Sequence, residues 1–183
     1  MSVTPGPNCL MLAVSGINFG FQRTIPHMLG ILVGFMTLML AAGLGFGALV
    51  NAAPVARQAL TAAGVGYILW LAWRIAMTKS LGDGQSTGQP LTITEAALFQ
   101  LINVKGLLFA LTTAAVYVRP AQFIADSVLV SAILGAVLLP SAALWAGFGA
   151  AMRGVLDTPA RVRAFNIIMA ALLALTVIPI LRS

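Results

Sequence analysis

The chain has 183 residues, of which 60% are hydrophobic and only 8% charged, and its mean hydropathy is +1.01. A soluble fold of this size would lack the polar side chains needed to cover itself. The net charge of +6 gives no nucleic-acid footprint either, because the basic residues stand singly at the ends of apolar runs and are not clustered on one face with aromatic or polar residues between them.

From the N-terminus, residues 1–29 are apolar at first and then carry Arg23 and His27; proline and glycine break them too often for an ordinary complete span. Thr4, Pro5, Gly6, Pro7 and Asn8 cannot form continuous helix, since two prolines remove N–H donors and Gly6 before Pro7 is pushed away from the α region. Asn8 and Arg23 are 15 residues apart, so continuous helix between them would put the break about 20 Å from that charge. At such depth, non-helical backbone is tolerated only inside protein or along a wet cavity. A helix restarting at Pro7 or Asn8 would aim free N–H groups and its positive dipole end into that cavity, where a carboxylate fits. A loop or a packed proline kink is the plainer alternative.

Residues 30–50 carry no charge over 21 positions, which predicts the clearest span. Residues 58–77 predict the next, closing on Trp70, Trp73 and Arg74, which suit a membrane interface. The polar, glycine-rich stretch 78–90 reads as a surface loop dividing the chain into halves. In the second half, residues 96–118 hold Gln100, Asn103 and Lys105. Only 13 residues separate Lys105 from Arg119, about 20 Å of helix, short of the ~30 Å hydrocarbon core. The span therefore includes Lys105 or starts partway in. An intramembrane lysine normally faces a cavity or a partner, and a snorkelling, purely topological lysine is the alternative. Residues 127–152 form a long uncharged run interrupted by Pro140, expected to kink there. A basic loop, 153–163, precedes the last span, 164–181.

Crossing at each run puts Arg23, Arg74, Lys79, Lys105, Arg153, Arg161 and Arg163 on one side and Arg57, Arg119 and Arg182 on the other. The richer side is predicted to face the cytoplasm, which leaves the C-terminus outside. The start has no basic segment or small-residue cleavage pattern, so insertion is expected to rely on the spans themselves. The two irregular segments each lie 14 or 15 residues before an arginine, in the first span of oppositely directed halves. Such matching breaks are the pattern of a 3+3 inverted repeat.

Other residues invite simpler readings. Asp126 could neutralise an amine or carry a proton, but seven residues from Arg119 it reads first as an interfacial charge. His27 has no second His or Cys nearby and is expected at the interface. Glu95 reads as a helix cap beside Thr92 or Thr94. Gly16/Gly20, Gly30/Gly34 and Gly43/Gly47 have the spacing of close helix contacts, internal by default and between copies of the chain as the lesser alternative. Cys9 is the sole cysteine, so neither a disulfide nor a Cys/His metal cluster is expected. No cofactor is expected, and no arrangement of nucleophile, paired carboxylates or phosphate loop suggests an enzyme.

The segment Thr4-Pro5-Gly6-Pro7-Asn8, followed by Ser15-Gly16, Phe19-Gly20, Arg23-Thr24, Pro26-His27, Gly30 and Gly34-Phe35, resembles the N-terminal signature of the LysE/RhtB family of bacterial amino-acid exporters. Phe99-Gln100-Leu101-Ile102-Asn103-Val104-Lys105 resembles that family's F-Q-x-x-N-P-K segment, and Arg161-Val162-Arg163-Ala164-Phe165-Asn166 with the apolar tail resembles its end. The resemblance implies six-helix efflux carriers, commonly dimeric or otherwise oligomeric, that export amino acids and related metabolites by secondary transport. Two departures stand out. An apolar lead of ten or more residues that family members carry before T-P-G-P is missing, so a mis-assigned start or a truncated copy is expected. Val104 also replaces the proline of N-P-K, which takes away the main chemical cause of a helix break there.

The expectation is an all-α polytopic membrane helix bundle in one transmembrane domain (first half 1–77, loop 78–92, second half 93–183), with five complete spans and a partial first one. It would be a multi-pass protein of the bacterial inner membrane, with the lipid bilayer and a small amino-acid-like substrate as partners. Pro5, Gly6, Pro7 and Asn8 would hold the substrate carboxylate, with Asn103 and Lys105 opposite, and Asp126 is a candidate for coupling. An efflux carrier for another cargo such as a metal ion, or a non-transporting relative, are the rival readings.

Overall fold

The computed structural model describes residues 6–42, 44, 54–78, 89–156 and 158–181, and every regular element among them is helical. Helix α1 (Pro7–Phe19) starts with proline in its first turn after an extended Gly6, where the missing N–H costs nothing. It ends at Gly20, whose φ of +83° suits a residue without a β-carbon. The stretch from Asn8 to Arg23, whose length was reckoned as if it were continuous helix, is a helix, a tight turn and the start of a second helix. The 13 residues of α1 span about 20 Å, so the break at Pro7 keeps its distance from the turn.

Helix α2 (Phe21–Ala41) contains Arg23 in its first turn and Pro26 inside. It starts at Phe21 and not at 30, because a charge marks where a span leaves the apolar layer, whereas the Gly20 turn sets where the helix begins. Residues 43 and 45–50 of that predicted span, including Gly43 and Gly47, lie outside the described residues. His27 is only 1% exposed, on the same helical stripe as Gly30 and Gly34, so its ring faces into the bundle.

Helix α3 (Pro54–Met77) carries exposed Trp70 and Trp73 near its end, with the Arg74 guanidinium carbon 4.8 Å from the Trp70 ring centre. Helix α4 (Ile93–Ile102) opens with a capping box: the Thr92 hydroxyl accepts from the Glu95 N–H at 3.2 Å while the Glu95 carboxylate accepts from the Thr92 N–H at 2.9 Å. This closes two of the orphan donors of a helix start. Helix α5 (Val104–Tyr117) follows after Asn103 alone and is bent by 71° from α4. The break expected to fade with Val104 is therefore present. Asn103 takes an extended conformation (φ −78°, ψ 90°), and its side chain is tied to Gln100, so polar contacts supply what the absent proline would have imposed.

After a 3₁₀ turn (Pro120–Gln122), helix α6 (Phe123–Met152) runs unbroken through Pro140. Helix α7 (Pro159–Leu175) starts under the Thr158 cap, and α8 (Val177–Leu181) continues it past Thr176. Among the described residues, four helical stretches are long and apolar enough to cross a membrane, and a fifth if the bent α4–α5 pair counts as one.

Backbone approaches hold the bundle together. A methyl on Gly16 would meet the Ala146 backbone and one on Gly149 the Ala13 backbone, which fixes α1 against α6. Gly30 and Gly34 likewise admit the α4 backbone at Ile93 and Ala97. Where lipid tails are as apolar as leucine, such contacts supply the dispersion that hydrophobic transfer cannot. The chain's outward faces keep large apolar residues such as Val33, Leu144 and Ile168 exposed.

Two consequences can be measured on the purified, detergent-solubilised protein. Gly16→Ala should lower thermal stability by about 1–3 kcal/mol through overpacking, whereas Gly66→Ala on α3, with nothing within 4 Å of its added carbon, should be neutral or stabilise by up to ~1 kcal/mol; equal effects would contradict the packing. Val104→Pro occupies the first position of α5 after an already extended Asn103, where proline is favoured. It should leave the melting temperature unchanged or higher, and a clear fall would contradict the assigned geometry.

Candidate functional site

The two helix breaks face each other. Gly6, Pro7 and Asn8 from the start of α1 and Gln100, Asn103, Lys105 and Gly106 from the α4–α5 junction line one cavity. Its atom-free space is about 730 Å³, part of it open to solvent. The opposite walls are apolar: Leu12 on α1, Ile31 and Phe35 on α2, Phe109 on α5, and Leu134, Leu138, Ala142 and Trp145 on α6, with Ser141 the hydroxyl among them. Phe35 and Phe109 stack at 5.7 Å.

A ladder of amides joins the two breaks. Asn8 Nδ2 donates to Gln100 Oε1 at 2.9 Å and Gln100 Nε2 donates back to Asn8 Oδ1 at 3.2 Å. Gln100 Nε2 also donates to the Ala96 carbonyl at 3.1 Å, and Gln100 Oε1 accepts a second hydrogen bond from Asn103 Nδ2 at 3.3 Å. Gln100 and Asn103 are almost fully buried, and Asn103 Oδ1 finds no partner. In a low-dielectric interior such a ladder is strong when complete and costly wherever a member is left open.

The cavity has no full negative charge among its lining residues, and the only negative end brought to it is the C-terminus of the ten-residue α4 at Asn103. The helices α1 and α5 both begin at its wall, and neither has a side-chain cap, so two positive dipole ends converge there. Lys105 adds its ammonium, which lies against Gly6, 2.9 Å from where a β-carbon on that residue would be. No Asp or Glu stands among the lining residues. Glu95 is taken by the α4 cap, and Asp126 is held elsewhere. The arrangement can hold an anion such as a carboxylate, and it can present amide oxygens and a hydroxyl to a donor.

Of the residues singled out in the sequence, Gly6, Pro7, Asn8, Asn103 and Lys105 come together here, while Pro5 lies outside the described residues. Asp126 does not join them. It sits at the start of α6 in a two-pronged pair with Arg119, Oδ1 to Nη2 at 2.8 Å and Oδ2 to Nε at 2.8 Å, and Oδ2 also accepts the Arg119 N–H at 3.0 Å. Lys105 lines the cavity and so leaves the count of end charges. Among the lining residues not expected from the sequence are three with polar atoms, Gln100, Ser141 and Trp145. Gln100 was visible as a polar residue within an apolar run, but only its position one turn before Asn103, toward the α4 N-terminus, makes it the bridge. Ser141 and Trp145 stand one turn apart on α6, a spacing the uniformly apolar run obscured.

The end of the bundle beyond α1 is closed by a second amide cluster. Buried Asn18 and Asn166 exchange hydrogen bonds at 3.3 and 3.4 Å, and Asn166 Nδ2 donates to the Thr78 carbonyl at 3.1 Å. This gathers the ends of α1 and α3 on the N-terminal half of α7, and with them Arg74 and Arg161, toward one end. Arg119 and Asp126 mark the other.

The LysE type translocator family model matches residues 1–181. The cysteine/O-acetylserine efflux protein of Escherichia coli O1:K1 / APEC is 35% identical over 120 residues, which is 65% of this chain and 60% of that relative. The protein of the same name from Escherichia coli strain K12 is 34% identical over an equal stretch. The aligned part thus spans three-fifths of the length of these curated relatives. No solved structure matches the chain. A family match over nearly every residue, joined to a cavity built from both of its signature segments, identifies the chain as a member of the LysE type translocator family.

Proposed function

We propose that this chain carries small zwitterionic amino acids or related metabolites outward across the inner membrane by secondary transport. The observation that carries the reading is the convergence of both helix breaks on one cavity with a cation, two helix N-termini and a ladder of amides. In this reading the break formed by Pro5, Gly6, Pro7 and Asn8 takes the substrate carboxylate, with the N–H groups of Gly6 and Asn8 as donors because the prolines have none, and Lys105 neutralises it, because N–H groups at a helix start and an ammonium both favour negative charge. The apolar wall of Phe35, Phe109 and Leu138 receives a modest side chain. The cargo named for the relatives, cysteine and O-acetylserine, is of that size and charge type.

The halves 1–77 and 93–183 act as inverted repeats of three spans each, with the broken helices as their matching first members. Six crossings follow if the α4–α5 pair makes one and α1, with the residues before it, another. Asp126 is the weaker candidate for coupling, since its carboxylate is already neutralised by Arg119. The end gathering Arg74, Arg153 and Arg161 faces the cytoplasm under the positive-inside rule.

Purified protein in vesicles loaded with radiolabelled cysteine tests the reading. Asn8→Ala combined with Lys105→Ala should lower efflux by tenfold or more, with the protein still monodisperse. Efflux unchanged in that double variant would remove the site assignment.

A further inference from the structure

Asn103, a lining residue of the cavity, carries a fully covered amide oxygen without a partner, and the network around it explains why. Both hydrogens of Gln100 Nε2 are used, one on Asn8 Oδ1 and one on the Ala96 carbonyl. Gln100 can therefore offer Asn103 only its Oε1, and Asn103 meets it with Nδ2. That fixes the amide of Asn103 with its oxygen turned away from the ladder, 3% exposed as a residue and unpaired at Oδ1. An amide oxygen buried without a donor is uncommon and calls for an explanation in function.

The charge of the cavity supplies one. A zwitterion brings an ammonium along with its carboxylate, and the lining residues offer no Asp or Glu to receive it. Of the chain's four acidic residues, Glu95 closes the α4 cap and Asp126 pairs with Arg119, while Asp83 and Asp157 lie outside the described residues. The ammonium must be met by neutral acceptors, and Asn103 stands two residues from Lys105 in the same wall.

Resting on the reading of the cavity as an amino-acid site, we infer that Asn103 Oδ1, oriented by Gln100, receives the substrate ammonium, and that the site takes net-neutral zwitterions and rejects substrates whose net charge is positive. Lys105 and the two helix starts repel a cation, and only the C-terminal end of the ten-residue α4 works against them. An ammonium held by a neutral amide gains only what one charge-assisted hydrogen bond supplies, so it binds when its own carboxylate is engaged beside it. Gln100 is a positioning residue, acting through Asn103.

The test uses radiolabelled cysteine efflux from vesicles containing the full chain, with two competitors: N-acetylcysteine, which lacks the ammonium, and cysteamine, which lacks the carboxylate. For the wild type both should compete at least tenfold more weakly than unlabelled cysteine. In Asn103→Leu, apparent cysteine affinity should fall roughly tenfold, the value of one hydrogen bond to a charged group. N-acetylcysteine should then compete about as well as cysteine, with cysteamine still weak. If Asn103→Leu does not fold, Asn103→Asp reads the same point, since a carboxylate there should let cysteamine compete. Asn103 variants that keep the wild-type preference of cysteine over both competitors would overturn the inference and leave the transport reading standing. A wild type that moves no amino acid would overturn both.

Discussion

Everything else in the bundle depends on how two interrupted helices are reconciled with an apolar surrounding. An opened helix exposes backbone and side-chain groups that lipid cannot satisfy, so each break must be buried in protein or face water. Here the breaks answer each other: the Asn8 and Gln100 amides exchange hydrogen bonds across 92 positions of sequence. That single pair ties the start of α1 to the end of α4, and through Asn103 to the start of α5. The cavity is what remains between the two breaks once the amides have met.

The rest of the fold serves to hold that meeting in place. The α1–α6 and α2–α4 contacts rely on backbone approach at Gly16, Gly149, Gly30 and Gly34, so the walls carrying both breaks are set by close main-chain packing. The Asn18–Asn166 pair shuts the bundle one helix length away. Polar residues thus occupy two levels, one at the cavity and one at the arginine-rich end, separated by the apolar middle of α1. In an alternating-access carrier these two clusters are the natural candidates for contacts that exchange, because each is specific, buried and able to re-form.

Much of this was legible in the sequence. Two prolines around Gly6 leave no helical solution, and α1 begins where that argument put it. The apolar runs gave the long helices, and the lone polar residues of the second break gave Asn103 and Lys105. Helix ends inside the membrane were less legible. The start of α2 is set by a glycine with positive φ, which composition cannot distinguish from a packing glycine, and so Arg23 was placed at the end of the wrong helix. The inward orientation of His27 follows from its helical stripe and could not be read from its neighbours in sequence. Val104 was misleading for a related reason. Proline is one cause of a break, and an extended Asn103 bonded to Gln100 is another that only the folded arrangement reveals. Pairings between distant residues, such as Asn8 with Gln100 or Asn18 with Asn166, leave no local periodicity to read.

Cys9, the sole cysteine of the chain, lines the cavity beside Asn8 and gives direct access to the central claim that the substrate lies between the two breaks. The rate at which a small methanethiosulfonate reagent modifies Cys9 in vesicles should fall severalfold when saturating O-acetylserine is added, because the ligand and the reagent compete for the same space. A modification rate that O-acetylserine leaves unchanged, in protein that still exports it, would place the substrate elsewhere and contradict the account.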